Sequence, residues 1–144
     1  MLFARKIPGI KENWSVLSGE HNGNPMIVRR NDGISIIAGK GYLNFRSGIS
    51  YEFRIQTENG QQSTDEEAKI YEIEDKIFAS FDNNEDSVVS LIITTGGFKE
   101  YVIYHNKQCR FPEKLEAIQS LFGEYRLTRY TEEDKKWGLY AQFK

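Results

Sequence analysis

Residues 51–57 alternate apolar and polar side chains, with Tyr51, Phe53, Ile55 and Thr57 separated by Glu52, Arg54 and Gln56. A period of two predicts a half-buried strand, which Asn59-Gly60 ends. Over 64–81 the period lengthens to a helical one: Ile70, Ile73, Ile77 and Phe81 form a stripe flanked by Tyr71 and Phe78. Thr64 and Glu67 have the spacing of a capping box, Asp65 and Glu66 suit the positive end of a helix, and Glu72 and Lys76 form an i,i+4 pair. Residues 88–95 are β-branched and nearly continuously apolar, which predicts burial on both faces. Gly96-Gly97 provides the positive φ angles of a two-residue hairpin turn, after which 98–105 return. Pro112 suits the first turn of a second helix. Its stripe is Leu115, Ile118, Leu121 and Phe122, and Gly123 is its expected left-handed terminator. Residues 125–130 and 138–143 read as the last two strands.

Ahead of this lie two further strands, 14–17 and 26–30, joined across the turn-rich run 18–24 as a hairpin with a long loop. Ile34, Ile36 and Ile37 suggest a short strand before Gly39-Lys40-Gly41. From residue 50 the order is strand, helix, strand, strand, helix, strand. The predicted class is therefore α+β: a ferredoxin-like βαββαβ antiparallel sheet with two helices on one face, extended by N-terminal strands and a C-terminal strand. A single domain covers 1–144, with 1–49 the N-terminal strand extension and 50–144 the ferredoxin-like core plus the final strand.

Composition narrows the functional classes. Lys+Arg 19 against Asp+Glu 21 gives a net charge of −2, which lacks the basic excess that duplex nucleic acid or an anionic membrane attracts. The one cysteine, Cys109, can form neither an internal disulfide nor a thiolate zinc site, and two histidines, His21 and His105, are too few for most histidine metal sites. Residues 1–8 carry a basic pair without the apolar run of a signal peptide. No stretch approaches the roughly 20 apolar residues of a membrane helix. These features predict a cytoplasmic protein without metal, cofactor or membrane anchor.

Candidate chemistry is sparse. Gly39-Lys40-Gly41 lacks the spacing and the hydroxyl of a phosphate-binding loop and reads as a turn. His105 lies four residues before Cys109, and Lys107 and Arg110 could lower a thiol pKa there, yet no catalytic acid accompanies them. The acidic runs 65–67, 82–86 and 132–134 match no calcium loop. Arg54, Tyr101, Arg126, Tyr130 and Tyr140 could share a sheet face suited to stacking RNA bases, but Glu100 among them would repel phosphate.

Several segments carry a resemblance: Trp14, the run from Pro25 to Asn31, Glu72 to Asp75, the motif Thr95-Gly96-Gly97-Phe98-Lys99-Glu100-Tyr101-Val102-Ile103-Tyr104, and Asp134-Lys135-Lys136-Trp137-Gly138-Leu139-Tyr140. Together they resemble an uncharacterised bacterial family, domain of unknown function 695. Lys99 stands where that family has Arg, and Lys135 where Pro commonly follows the Asp. The resemblance brings no catalytic residue and no cofactor. Some relatives are joined to a domain similar to the inhibitory regulator of ribonuclease E, which implies a regulatory or protein-binding role. The expected function is a non-enzymatic intracellular binding or regulatory module with a protein partner. The alternatives are a small-ligand binder or enzyme with a cleft near Arg30, Tyr104 and Trp137, and single-stranded RNA binding on the sheet. The binding candidates are Arg30, Tyr104, Trp137 and Tyr140, with Asp134 the expected acceptor for the Trp137 indole N–H.

Overall fold

In residues 98–105, Phe98, Glu100, Val102 and Tyr104 occupy one side of the chain and Lys99, Tyr101, Ile103 and His105 the other. Tyr101, Val102, Ile103 and Tyr104 are all fully buried, so this strand needs a layer on each side. The computed structural model describes residues 9–144 and places apolar clusters on both faces of a sheet. Residues 1–8, and with them the reading that they form no leader, lie outside the described residues.

Strands β1 (Trp14–His21), β2 (Asn24–Asn31), β3 (Phe45–Glu52), β4 (Ser87–Thr95), β5 (Phe98–His105) and β6 (Thr128–Glu133) pair antiparallel in the order β1-β2-β4-β5-β3-β6. The expected α+β class is present, and the N-terminal strands extend the sheet beyond β4. Helices α1 (Glu67–Phe81) and α2 (Phe111–Gln119) cover one face, where Ile70, Ile73, Ile77, Leu115 and Ile118 meet Ile49, Val89, Ile92 and Ile103. The other face packs against residues around Ile34 and Leu43 and against a short helix, α3 (Gly138–Gln142).

A bulge in β4 reconciles the two layers. Val89 pairs with Ile103 and Leu91 with Val102, leaving Ser90 as the extra residue. Without it, Val88 and Leu91 would point to opposite faces; with it, both join the second cluster while Val89 and Ile92 join the helix side. The buried Ser90 hydroxyl is satisfied by donating to the Val102 carbonyl at 2.8 Å.

Several local expectations are corrected. Residues 138–143 are not a strand: they hold α3, which starts from a left-handed Trp137 (φ 56°). The hairpin β1–β2 has no long loop, because Asn22 and Gly23 (φ 52° and 80°) turn the chain in two residues. The strand expected over 51–57 ends at Glu52, where the buried Glu66 carboxylate captures the Arg54 and Ile55 amides at 2.9 Å each. The capping box is replaced by Ser63, whose hydroxyl accepts from the Asp65 amide, while Glu67 accepts from the Tyr71 hydroxyl. Glu72 pairs with Lys69 at 3.1 Å rather than with Lys76. Ile34 belongs to a 3-10 turn, Asp32–Ile34, whose first amides donate to the Asn13 carbonyl. Gly123 does not adopt a left-handed φ, and Leu121 is exposed. The Gln119 amide closes this end instead, donating to the Phe122 and Tyr125 carbonyls and accepting from the Leu127 amide.

Ile77 lies fully buried at the middle of the α1 stripe. Replacing it with Ala is expected to lower the unfolding free energy by ~2–5 kcal/mol, read as a shifted denaturant midpoint with an unchanged slope.

Candidate functional site

The four residues singled out on the sequence converge on the second face of the sheet. Trp137 is fully buried and stacks on Tyr104 with centroids 4.0 Å apart, and Tyr140 meets its edge at 5.6 Å. The Arg30 guanidinium lies 4.1 Å above the Tyr140 ring and pairs with Asp32. The indole N–H donates to the Leu43 carbonyl at 3.0 Å, so Asp134 is not its acceptor. Asp134 instead accepts from the Tyr104 hydroxyl at 2.8 Å and from the Gly138 and Leu139 amides. Burial opposes its charge, but these donors and Arg46 outweigh burial and hold the carboxyl below its usual range. Tyr140 closes the assembly by donating to the Asn31 carbonyl at 2.6 Å. This enclosed cluster fixes α3 on the sheet.

Beside it, the same face opens into a groove of about 740 Å³. Its apolar lining is Met26, Ile93, Phe98, Leu139 and Phe143; Glu100, Ser50 and Gln142 add polar atoms, and His21 and Asn22 stand at the β1–β2 turn. None of Arg30, Tyr104, Trp137 and Tyr140 lines it. Next to the groove, Gly48 leaves room for the Tyr130 ring. A Cβ there would fall 2.2 Å from the Tyr130 ring, which crosses β3 and brings its hydroxyl to Glu100 at 3.3 Å. The strand predicted over 138–143 separates Leu139 from Phe143, so the sequence does not show this groove. On a helix their i,i+4 spacing puts them together.

The helix-covered face carries a different assembly. Glu74 of α1 pairs with Arg29 at 2.9 Å and accepts from Tyr101 at 3.2 Å, and Tyr101 in turn meets the Tyr51 hydroxyl. Lys99 is 4% exposed; it donates to Gln62 at 2.8 Å and lies 3.9 Å from Glu74. Burial outweighs Glu74 and pulls the Lys99 pKa down to about 8.

The sequence profile of a family of unknown function, DUF695, matches residues 12–143. The chain belongs to that family. No curated protein and no solved structure matches it. The segments that carried the DUF695 resemblance are those that assemble the two polar clusters. On one face Arg29, Glu74, Lys99 and Tyr101 meet; on the other Asp134, Trp137 and Tyr140 meet Arg30 and Tyr104.

The nucleophile candidates of this DUF695 chain lie elsewhere. Cys109 is buried, and burial pushes its thiol up, away from the thiolate a nucleophile needs, in place of the lowering expected from Lys107 and Arg110. His105 is held below its ordinary pKa by burial; Nδ1 contacts the Asn106 carbonyl and Nε2 the Ser47 hydroxyl at 2.7 Å. Arg54, Tyr101, Arg126, Tyr130 and Tyr140 do not share a face. Tyr101 is in the helix-side core, Tyr130 crosses the opposite face over Gly48, and Tyr140 belongs to α3. Among the described residues no helix is long and apolar enough to cross a membrane.

Replacing Trp137 with Phe removes the N–H that satisfies the buried Leu43 carbonyl and part of the ring on Tyr104. Equilibrium denaturation is expected to show a loss of about 2–3 kcal/mol, from an orphaned acceptor plus a small cavity. A second expectation concerns Lys99. The unfolded chain holds a lysine proton to about pH 10.4, whereas the folded protein releases it near 8. At this site the unfolded state therefore binds more protons between those values, so the Lys99 contribution to stability rises with pH there. The raised Cys109 thiol and the buried tyrosines act in the opposite direction, and the difference between the native chain and Lys99→Met cancels them. From pH 8 to 9.5 that difference is expected to shift in favour of the native chain by on the order of 1–2 kcal/mol.

Proposed function

We propose that this DUF695 domain is a non-enzymatic binding module that takes a segment of a protein partner in the groove beside α3. The observation that carries this reading is the groove's lining. Met26, Ile93, Phe98, Leu139 and Phe143 present apolar surface in one concave strip, and Phe98 is 49% exposed. A concave apolar strip of this kind is costly to leave in water and is characteristic of recognition surfaces. The titratable groups along it, His21 and Glu100, share no hydrogen bond with each other or with a nucleophile, so the groove supports binding better than covalent or acid–base catalysis. The volume of about 740 Å³ favours a second reading, a small organic ligand, since such sites span about 300–1,000 Å³.

The fold reading belongs with this proposal. The chain order β3, α1, β4, β5, α2, β6 with sheet neighbours β6-β3-β5-β4 supports a ferredoxin-like core carrying β2 and β1 as an extension. A near-neutral charge and a lone buried cysteine support a cytoplasmic setting.

The test compares the native chain with Phe98→Ser in the groove and Tyr71→Ser on the exposed side of α1. Both positions are half-exposed, so stability should change by less than about 1 kcal/mol. Quantitative affinity capture is expected to lose specific protein partners with Phe98→Ser and retain them with Tyr71→Ser. The same set captured by all three proteins overturns the groove as the binding surface.

A further inference from the structure

Glu100 lies in the floor of the groove, paired across the sheet with Ser50 of β3 and Ile93 of β4. Among the described residues its one hydrogen bond comes from the Tyr130 hydroxyl at 3.3 Å. No lysine, arginine or histidine nitrogen there lies within 4.0 Å of it. Arg46 is the cation whose charge reaches Glu100, but its guanidinium is engaged by Glu132 at 2.5 Å and Asp134 at 3.4 Å. The other buried or half-buried carboxylates described on this face have partners: Asp134 has the α3 amides and Tyr104, and Asp32 has Arg30; Glu132 has Arg46, and Glu52 at the end of β3 is exposed to water. Glu100 alone is half-buried in apolar surroundings without a cation of its own. Burial accordingly raises its pKa.

A carboxylate drawn out of water without a cation is unfavourable, and a ligand that covers the groove removes still more of its water. A neutral or acidic occupant makes this worse, whereas a basic one relieves it. A lysine or arginine also has the right body for the site. Its methylene stem can lie along Phe98 and Ile93 while its head reaches the carboxylate. We infer that the partner segment held in the groove presents a lysine or arginine to Glu100, flanked by apolar side chains that cover Met26, Phe98, Leu139 and Phe143. This inference rests on the reading of the groove as the binding surface.

The test uses three capped peptides at millimolar concentration, acetyl-Leu-Lys-Leu-amide and its versions with norleucine or glutamate in place of lysine. Binding is followed by the methyl NMR signals of Met26, Ile93 and Leu139. The lysine peptide is expected to bind about 5- to 10-fold more tightly than the norleucine one, the scale of a partly desolvated ion pair, and the glutamate peptide most weakly. In Glu100→Gln the lysine preference should fall to within about twofold. The lysine–norleucine comparison on the native chain holds whether or not that variant folds. Equal binding of these two peptides with shifts at all three methyls overturns the charge preference and leaves the groove reading standing. A lysine preference that survives Glu100→Gln places the cation elsewhere and also overturns it. No shift at any of the three methyls with any peptide overturns the groove reading itself.

Discussion

Asp134 engages four donors at once: the Gly138 and Leu139 amides, the Tyr104 hydroxyl and the Arg46 guanidinium. The second layer of the fold depends on this carboxylate. α3 is five residues long, far below the length at which a helix persists without tertiary support. It also begins at a left-handed Trp137, a conformation that costs a residue with a side chain about 1–2 kcal/mol. Asp134 offsets both by satisfying the first amides of the helix while bonding to the central strand beneath. With that anchor, the indole can settle on Tyr104 and send its N–H to Leu43. The aromatic stack is thus the consequence of the cap as much as a source of stability in its own right.

A short lid has a geometric consequence. The fifteen residues of α1 and nine of α2 cover their face of the sheet, so polar groups there must satisfy one another, as Arg29, Glu74, Tyr101 and Tyr51 do. On the other face α3 covers only the end of β5 that holds Tyr104. Two strand residues further along are Val102 and then Glu100, where the lid stops and the groove begins. The alternation of β5 therefore draws one line from a sealed aromatic core to an open, acid-floored recess.

This organisation was only partly legible in the sequence. The α1 stripe of Ile70, Ile73, Ile77 and Phe81 and the Gly96-Gly97 hairpin were readable because both rest on local periodicity and backbone freedom, and the run 88–93 pointed to burial on both faces. The sequence suggests a cleft near Arg30, Tyr104 and Trp137, with Tyr140 a further binding candidate, whereas the structure joins all four in an enclosed cluster outside the groove. What stayed hidden was set by distant partners. Glu66 ends β3 by capturing amides from another segment, and Ser90 shifts the parity of β4 without any turn residue to announce it. At the start of α3 the left-handed position falls on Trp137 and not on the neighbouring Gly138, so no glycine marks it. An extended 138–143 holds Leu139 and Phe143 apart, and only the helical turn makes them one wall of the groove.

The distribution of reactive groups separates chemistry from access. Ser47, His105 and the Asn106 carbonyl have the pairing of a nucleophile, a neutral base and a group that orients it. Yet Ser47 is fully buried, its hydroxyl is also in contact with Thr131 at 2.7 Å, and the imidazole is stacked on Phe111 and Phe45. These bonds tie β3, β5 and β6 together, and burial disfavours the charged imidazole while closing it off from a substrate. Cys109 is shut away in the same manner. Glu100 is the converse case, a carboxylate with room above it whose one described side-chain hydrogen bond is from the Tyr130 hydroxyl. Ser47, His105 and Cys109 are thus enclosed, whereas Glu100 stands open among apolar side chains, an arrangement that supports the proposed role of the groove in recognition.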